Sequence, residues 1–233
     1  MPTTSVNGIN LYYETTGTGP PLVMIGGLGL AVPEMARLSG PLAGKFQVTA
    51  VDNRGTGRSS APQGPYSIEQ MAGDIAALIG QLGLGRVNVL GISMGGRIAL
   101  SLALSRPDLV DRLILVVTSP RAGTSRWRVR LGMAFSILTR PFDRNPQQRH
   151  ARKAQFDATS NFDCTDRLGE ITAPALIINA KSDRIAPPSF GEEMRDKIPD
   201  SRLVLVNGGH IAPLITQRDR VMSEVTEFLS ANP

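Results

Sequence analysis

The stretch VNVLGISMGGRIAL, Val87 to Leu100, changes character at its centre. It opens as a run of strand-forming residues, breaks into three glycines around one serine, and resumes with a helical pattern. A side chain presented at the tip of a sharp strand-to-helix turn needs small neighbours, because strand and helix backbones come within contact distance there. Gly91, Gly95 and Gly96 supply that room. Ser93, at the centre of this G-x-S-x-G string, is then expected in a strained conformation with its hydroxyl exposed at the carboxyl end of a sheet. The N–H groups and dipole of the following helix point to the same place and favour a developing negative charge. An incidental serine in a glycine-rich packing turn is the plainer explanation. The placement of the string between a buried strand and a helix argues for a nucleophile.

Outward from this turn, short β-branched runs alternate with helical patterns. INLYYET follows an Asn7-Gly8 turn and forms a hairpin signal. Residues 21–26, 46–52, 86–92, 111–117, 173–180 and 202–207 read as strands. From Ser67 the spacing of Ile68, Met71, Ala72, Ile75, Leu78, Ile79 and Leu82 predicts a helix, with Ser67 and Gln70 as a capping box. Further helices are expected at 94–105, at 189–198 and at the end of the chain, where Val221, Val225, Phe228 and Leu229 share a face. Strands alternating with helices imply an α/β fold, a mostly parallel sheet covered on both faces. The alternation fails over roughly 119–168. That segment reads as a small cap inserted above a core of 1–118 and 169–233, with helices expected near 125–139 and 145–157.

Bulk properties narrow the options. The 233 residues suit one large domain with an ample core. No signal-peptide pattern and no apolar run of about 20 residues occurs, so a cytoplasmic protein without a transmembrane segment is expected. The single cysteine, Cys164, excludes an internal disulfide and cannot build a metal site by itself. Net charge is +5, but Arg121 to Lys153 carries nine Lys or Arg against one acid, a local +8, which leaves the rest of the chain at 5 − 8 = −3. The basicity belongs to one segment. No nucleic-acid-binding motif accompanies it, so nucleic acid is not an expected partner.

A serine hydroxyl needs a base to become a nucleophile. The chain has two histidines, His150 and His210. His150 lies among arginines and lysines and reads as part of a solvated helix face. His210 follows RLVLVNGG, a strand ending in two glycines, and so falls at the same sheet edge as Ser93. A carboxylate must then hold the imidazole tautomer. Asp183, in the loop after the strand 173–180, is the good candidate, since Asp111 and Asp200 precede strands and face the other end.

With GISMGG, AKSDRIAP, NGGH and the turn VDNRGTGRSS (51–60) in this order, nearly the whole chain resembles the α/β-hydrolase fold superfamily, including its serine esterase and lactonase-like members. The resemblance implies a Ser93–Asp183–His210 triad and an oxyanion hole from two backbone N–H groups, those of Met94 and Leu28. In IGGLGL, Gly26 stands where the family's H-G-x-G motif carries histidine.

A serine at the elbow favours acyl transfer through an acyl-enzyme, hence a carboxylesterase-like hydrolase acting on a small-molecule ester with no metal or organic cofactor. Lactonase, thioesterase, C–C bond hydrolase and cofactor-free perhydrolase chemistry share the same triad and stay open, as does a non-catalytic binding protein. In the insertion, LGMAFSIL (131–138) and Trp127 could wall a pocket, or the helix could simply bury its own face. Met24, Met94 and Met133 read first as core filling. The arginines of 121–153 admit a solvated basic face, recognition of an acidic substrate or carrier protein, or adsorption to anionic lipid with Trp127 and Phe135 at the boundary. No stretch specifies an oligomer.

Overall fold

The computed structural model describes residues 2–123 and 147–231. Its strands are β1 (Thr3–Val6), β2 (Ile9–Thr16), β3 (Pro21–Ile25), β4 (Gln47–Val51), β5 (Val87–Ile92), β6 (Val110–Val116), β7 (Ala175–Ala180) and β8 (Ser201–Val206). The helices among the described residues are α1 (Val32–Ala43), α2 (Ile68–Gln81), α3 (Met94–Ser105), α4 (Arg149–Asn161), α5 (Pro188–Lys197) and α6 (Arg218–Ser230). The strands form one sheet in the order β1-β2-β4-β3-β5-β6-β7-β8. β1 and β2 are antiparallel to their neighbours, and β3 to β8 run parallel. Asn7 and Gly8 both take positive φ, 45° and 76°, the turn geometry that the strand twist of a tight hairpin requires.

The period of two along each strand splits the core. Val23, Ile25, Val89, Leu113, Leu115 and Ile177 face α2 and α3, where they meet Met71, Ile75, Leu78, Ile98 and Leu102. Leu22, Met24, Leu90, Ile114, Val116 and Ile178 face α1 and α6, against Met35, Leu38, Val221 and Val225. Met24 is core filling, as its sequence context indicates. Parallel strands buried on both faces explain why these segments read as continuous apolar runs.

The sheet order places the site. After β4 the chain returns across β3 to begin β5 on its far side, which opens a crevice between the carboxyl ends of β3 and β5. The register Ile25↔Gly91 sets the loop after β3 directly beside Ser93.

Helix α2 starts with half of the expected capping box: Ser67 Oγ accepts the Gln70 N–H at 3.0 Å, while no bond from the Gln70 side chain back to the Ser67 N–H is formed among the described residues. Helix α4 begins at Arg149 and runs to Asn161, later at both ends than the 145–157 expected. The polar run Thr159-Ser160-Asn161 stays helical, and the Thr159 hydroxyl donates back to the Gln155 carbonyl at 2.8 Å. The helix expected at 125–139, with Trp127, Met133, Phe135 and the apolar run 131–138, lies outside the described residues. No helix among the described residues is long and apolar enough to cross a membrane.

Candidate active site

Ser93 is held by what its neighbours lack. A Cβ on Gly91 would stand 2.4 Å from the Gly95 carbonyl oxygen, one on Gly95 would stand 2.1 Å from the Ile25 carbonyl oxygen, and one on Gly96 would stand 2.5 Å from the Thr118 side chain. These distances are too short for any side chain, so the three glycines set how closely α3 approaches β3, β5 and the end of β6. The turn forces Ser93 to φ 53° and ψ −114°, a conformation that L-residues avoid. Three bonds keep it there: the Ser93 N–H donates to the Val116 carbonyl at 2.9 Å, and the Ser93 carbonyl accepts the Thr118 hydroxyl at 2.7 Å and the Gly96 N–H at 3.0 Å.

β8 lies three strands from β5, roughly 14 Å at the usual strand spacing. The loop after β8 crosses that gap. Gly208, at φ 98°, turns the chain, and its carbonyl accepts the Ser182 N–H at 2.9 Å, which ties this loop to the one after β7. His210 arrives with Nε2 3.0 Å from Ser93 Oγ and Nδ1 2.7 Å from Asp183 Oδ2. Asp183 is buried, and its other oxygen accepts the N–H groups of Ile185 at 2.8 Å and Ala186 at 3.0 Å. A carboxylate so held cannot turn away from the imidazole. With Nδ1–H donating to Asp183, Nε2 is left as acceptor for the Ser93 hydroxyl. Ser93, His210 and Asp183 are therefore brought together as the sequence implied. Asp111 pairs instead with Arg86 at the far end of the sheet, at 3.7 Å. His150 is half-buried, with Nε2 2.9 Å from the Ala61 carbonyl oxygen, so it anchors α4 rather than decorating a solvated face.

The loop after β3 sits on the other side of Ser93. A Cβ on Gly27 would be 3.3 Å from Ser93 Cβ, and one on Gly26 would meet the Leu30 carbonyl oxygen at 2.5 Å. The turn closed by the Leu30 N–H on the Gly27 carbonyl, at 3.0 Å, therefore has no room for a histidine at position 26. Asn53 pins the loop instead, its Nδ2 donating to the Gly26 carbonyl at 2.9 Å. Asp52 accepts the Val32 N–H at 2.6 Å and the Arg58 N–H at 2.9 Å, and so fixes the start of α1 where the same loop ends. Burial pushes the Asp52 carboxyl up, against the downward pull of those two N–H groups and of the Arg58 charge. The VDNRGTGRSS turn is thus the brace of the loop after β3. Its sequence signal was visible, but its task was not.

Met94 is the first residue of α3, so its N–H has no acceptor within the helix. Met94 and Leu28 both line a cavity of about 550 Å³ that opens onto Ser93 and His210. Its wall is mainly apolar, with Leu30, Ile92, Val117, Phe156, Ile185 and Leu214 among the lining residues. The lining also holds a charged residue that no sequence motif marked as functional, Arg97, which is 8 % exposed. A charged residue inside the otherwise uncharged MGGRIALSLALS was the available signal.

Residues 20–140 match the α/β hydrolase fold family, and the chain belongs to it. Homology of this kind indicates a hydrolase. The chain is 29 % identical to a protein of Azorhizobium caulinodans provisionally named carbamate hydrolase RutD, over 93 % of this chain and 94 % of that one. It is 31 % identical to a Mycobacterium tuberculosis protein provisionally named non-heme bromoperoxidase BpoC, over 87 % and 91 % of the two chains. The crystal structure of the enol-lactonase from Burkholderia xenovorans superposes with a TM-score of 0.86 at 28 % identity, covering 99 % of this chain and 100 % of that one.

Proposed function

We propose that the protein is a serine hydrolase that cleaves carboxylic esters through an acyl-enzyme. The observation that carries this reading is the unbroken relay from Ser93 Oγ through His210 to buried Asp183, at 3.0 and 2.7 Å, at the edge of an apolar cavity. His210 takes the Ser93 proton as the oxygen attacks the carbonyl carbon. Asp183 holds the imidazole tautomer and stabilises its protonated form. The N–H groups of Met94 and Leu28 receive the charge that develops on the carbonyl oxygen, aided by the positive end of α3. His210 then protonates the departing alcohol, and a water activated by the same imidazole releases the acid. Every step uses a side chain or a backbone N–H of this chain.

The enol-lactonase neighbour supports ester chemistry, since a lactone is an internal ester. The relative named as a carbamate hydrolase favours one second reading, attack of the same serine on a carbamate carbonyl. Hydrolysis of p-nitrophenyl acetate, butyrate and octanoate by wild type and Ser93→Ala tests the first reading, with a p-nitrophenyl carbamate alongside. Ester turnover that falls about 10⁴-fold or more in the variant is expected. Turnover of the carbamate alone would replace the ester reading with the carbamate one.

A further inference from the structure

We propose that Arg97 makes one end of the cavity an anion subsite, so that preferred substrates are esters carrying a carboxylate a few atoms from the scissile carbonyl. This rests on the serine hydrolase reading and names its substrate class.

Every residue of α3 from Met94 to Ala103 is buried, and Arg97 is the one charged side chain in the helix. It lies four residues after Ser93, one turn further along, and helical side chains lean toward the N-terminus, here toward the elbow. Among the described residues its guanidinium donates to neutral oxygens only: Thr159 carbonyl from Nη1, and Ser119 Oγ and Arg121 carbonyl from Nη2, the last two both at 2.8 Å. Among the described residues no carboxylate pairs with it. The acid whose field reaches it, Asp163, accepts the Thr165 N–H at 2.9 Å and stands in the fields of Arg121 and Lys197. Burial pushes the Arg97 guanidinium down to about 10, with the fields of Cys164 and Asp163 opposing, so it is cationic at neutral pH.

A guanidinium has five N–H donors. Three are used here, which leaves Nε–H and one Nη1–H without an acceptor among the described residues. Arg97 lines the cavity together with Ser93, and the described lining holds no Asp, Glu or Lys. The described wall is therefore mainly apolar, with a buried positive charge that no carboxylate among the described residues pairs and a nucleophile in the same lining. A buried charge held only by neutral partners is costly, and an anionic ligand offsets that cost with charge-assisted hydrogen bonds.

The three existing bonds also tie α3 to Ser119, Arg121 and Thr159, so a purely structural role has to be separated from a binding one. The readout is a ratio. p-Nitrophenyl hydrogen glutarate is compared with p-nitrophenyl pentanoate, and 4-acetoxybenzoate with its methyl ester, in wild type, Arg97→Lys and Arg97→Gln. Wild type is expected to prefer at least one anionic ester, and Arg97→Gln to lower that kcat/KM ratio on the order of 10²-fold, with Arg97→Lys between them. No anionic preference in wild type, or an equal fall on both members of each pair, overturns the proposal. Calorimetric binding of monomethyl glutarate and of 4-acetoxybenzoate to Ser93→Ala, where no hydrolysis intervenes, tests the subsite even if the esterase reading fails. Saturable binding of either anion, lost in Ser93→Ala/Arg97→Gln, is expected. No binding of either to folded Ser93→Ala overturns the subsite independently.

Discussion

The ends of β5 and β8 deliver the two central groups of the site in opposite ways. At the end of β5, Ser93 is fixed by steric exclusion: Gly91 and Gly95 permit backbone contacts, and Gly96 a contact with the Thr118 side chain, that no other residue could, and the serine is left at φ 53°. At the end of β8, His210 rides a loop that spans the neighbouring strand ends, and its ring is oriented by one hydrogen bond to Asp183. The first is a packing problem solved once for the whole fold. The second is a directional problem solved by a carboxylate that is itself held by two N–H groups. Changes at the elbow should therefore damage stability as well as activity, whereas changes in the His210–Asp183 pair should damage activity with the fold retained.

The largest effects test that division directly. His210→Ala should lower ester turnover by about 10⁴ to 10⁶ and Asp183→Asn by about 10⁴, with unfolding midpoints in urea close to wild type. A fold lost with either residue would make the β8 end a structural element like the elbow. Gly95→Ala is next: its Cβ would have to fit 2.1 Å from the Ile25 carbonyl oxygen. Urea denaturation should show a stability loss of about 3 kcal/mol or more, with activity falling in the same sample.

Smaller effects probe the loop after β3. Asn53→Ala frees the Gly26 carbonyl from its 2.9 Å bond, but it also removes a buried Oδ1 that has no partner among the described residues. The two terms oppose, so stability should change by less than about 1 kcal/mol. Activity should drop about tenfold as the Leu28 N–H loses its placement, seen as a fall in kcat with KM little changed. The smallest effect is that of His150→Ala. Its bond to the Ala61 carbonyl anchors α4, so about 1 kcal/mol of stability is lost while turnover stays within about twofold.

Why some of this was legible in the sequence follows from the same contrast. The elbow was readable because exclusion leaves a compositional trace, glycines at fixed offsets around Ser93. The base was readable for a different reason: of two histidines, His210 follows a strand and His150 does not. Asp183 follows β7 and could be told from Asp111 by the end of the strand on which each sits. Gly26 was visible as a departure, but its cause is a turn in which the Leu30 carbonyl occupies the space of a side chain, and that contact leaves no mark in composition. His150 was misread because neighbouring charges describe the solvent side of a helix, not the carbonyl that its ring meets. Arg97 was hidden in a motif whose serine drew all the weight. Its significance comes from burial and from the absence of a carboxylate beside it among the described residues, both three-dimensional facts.

On the proposed mechanism Ser93 is an activated nucleophile, and covalent labelling reads that property at the residue itself. Wild type, Ser93→Ala and His210→Ala would each be treated with diethyl p-nitrophenyl phosphate, digested with trypsin and read by mass spectrometry. One diethylphosphoryl group is expected on the peptide Val87–Arg97 of the wild type, localised to Ser93, with none there in Ser93→Ala and labelling slowed by orders of magnitude in His210→Ala. An unlabelled wild-type peptide from folded protein, or labelling equally fast without His210, would contradict it.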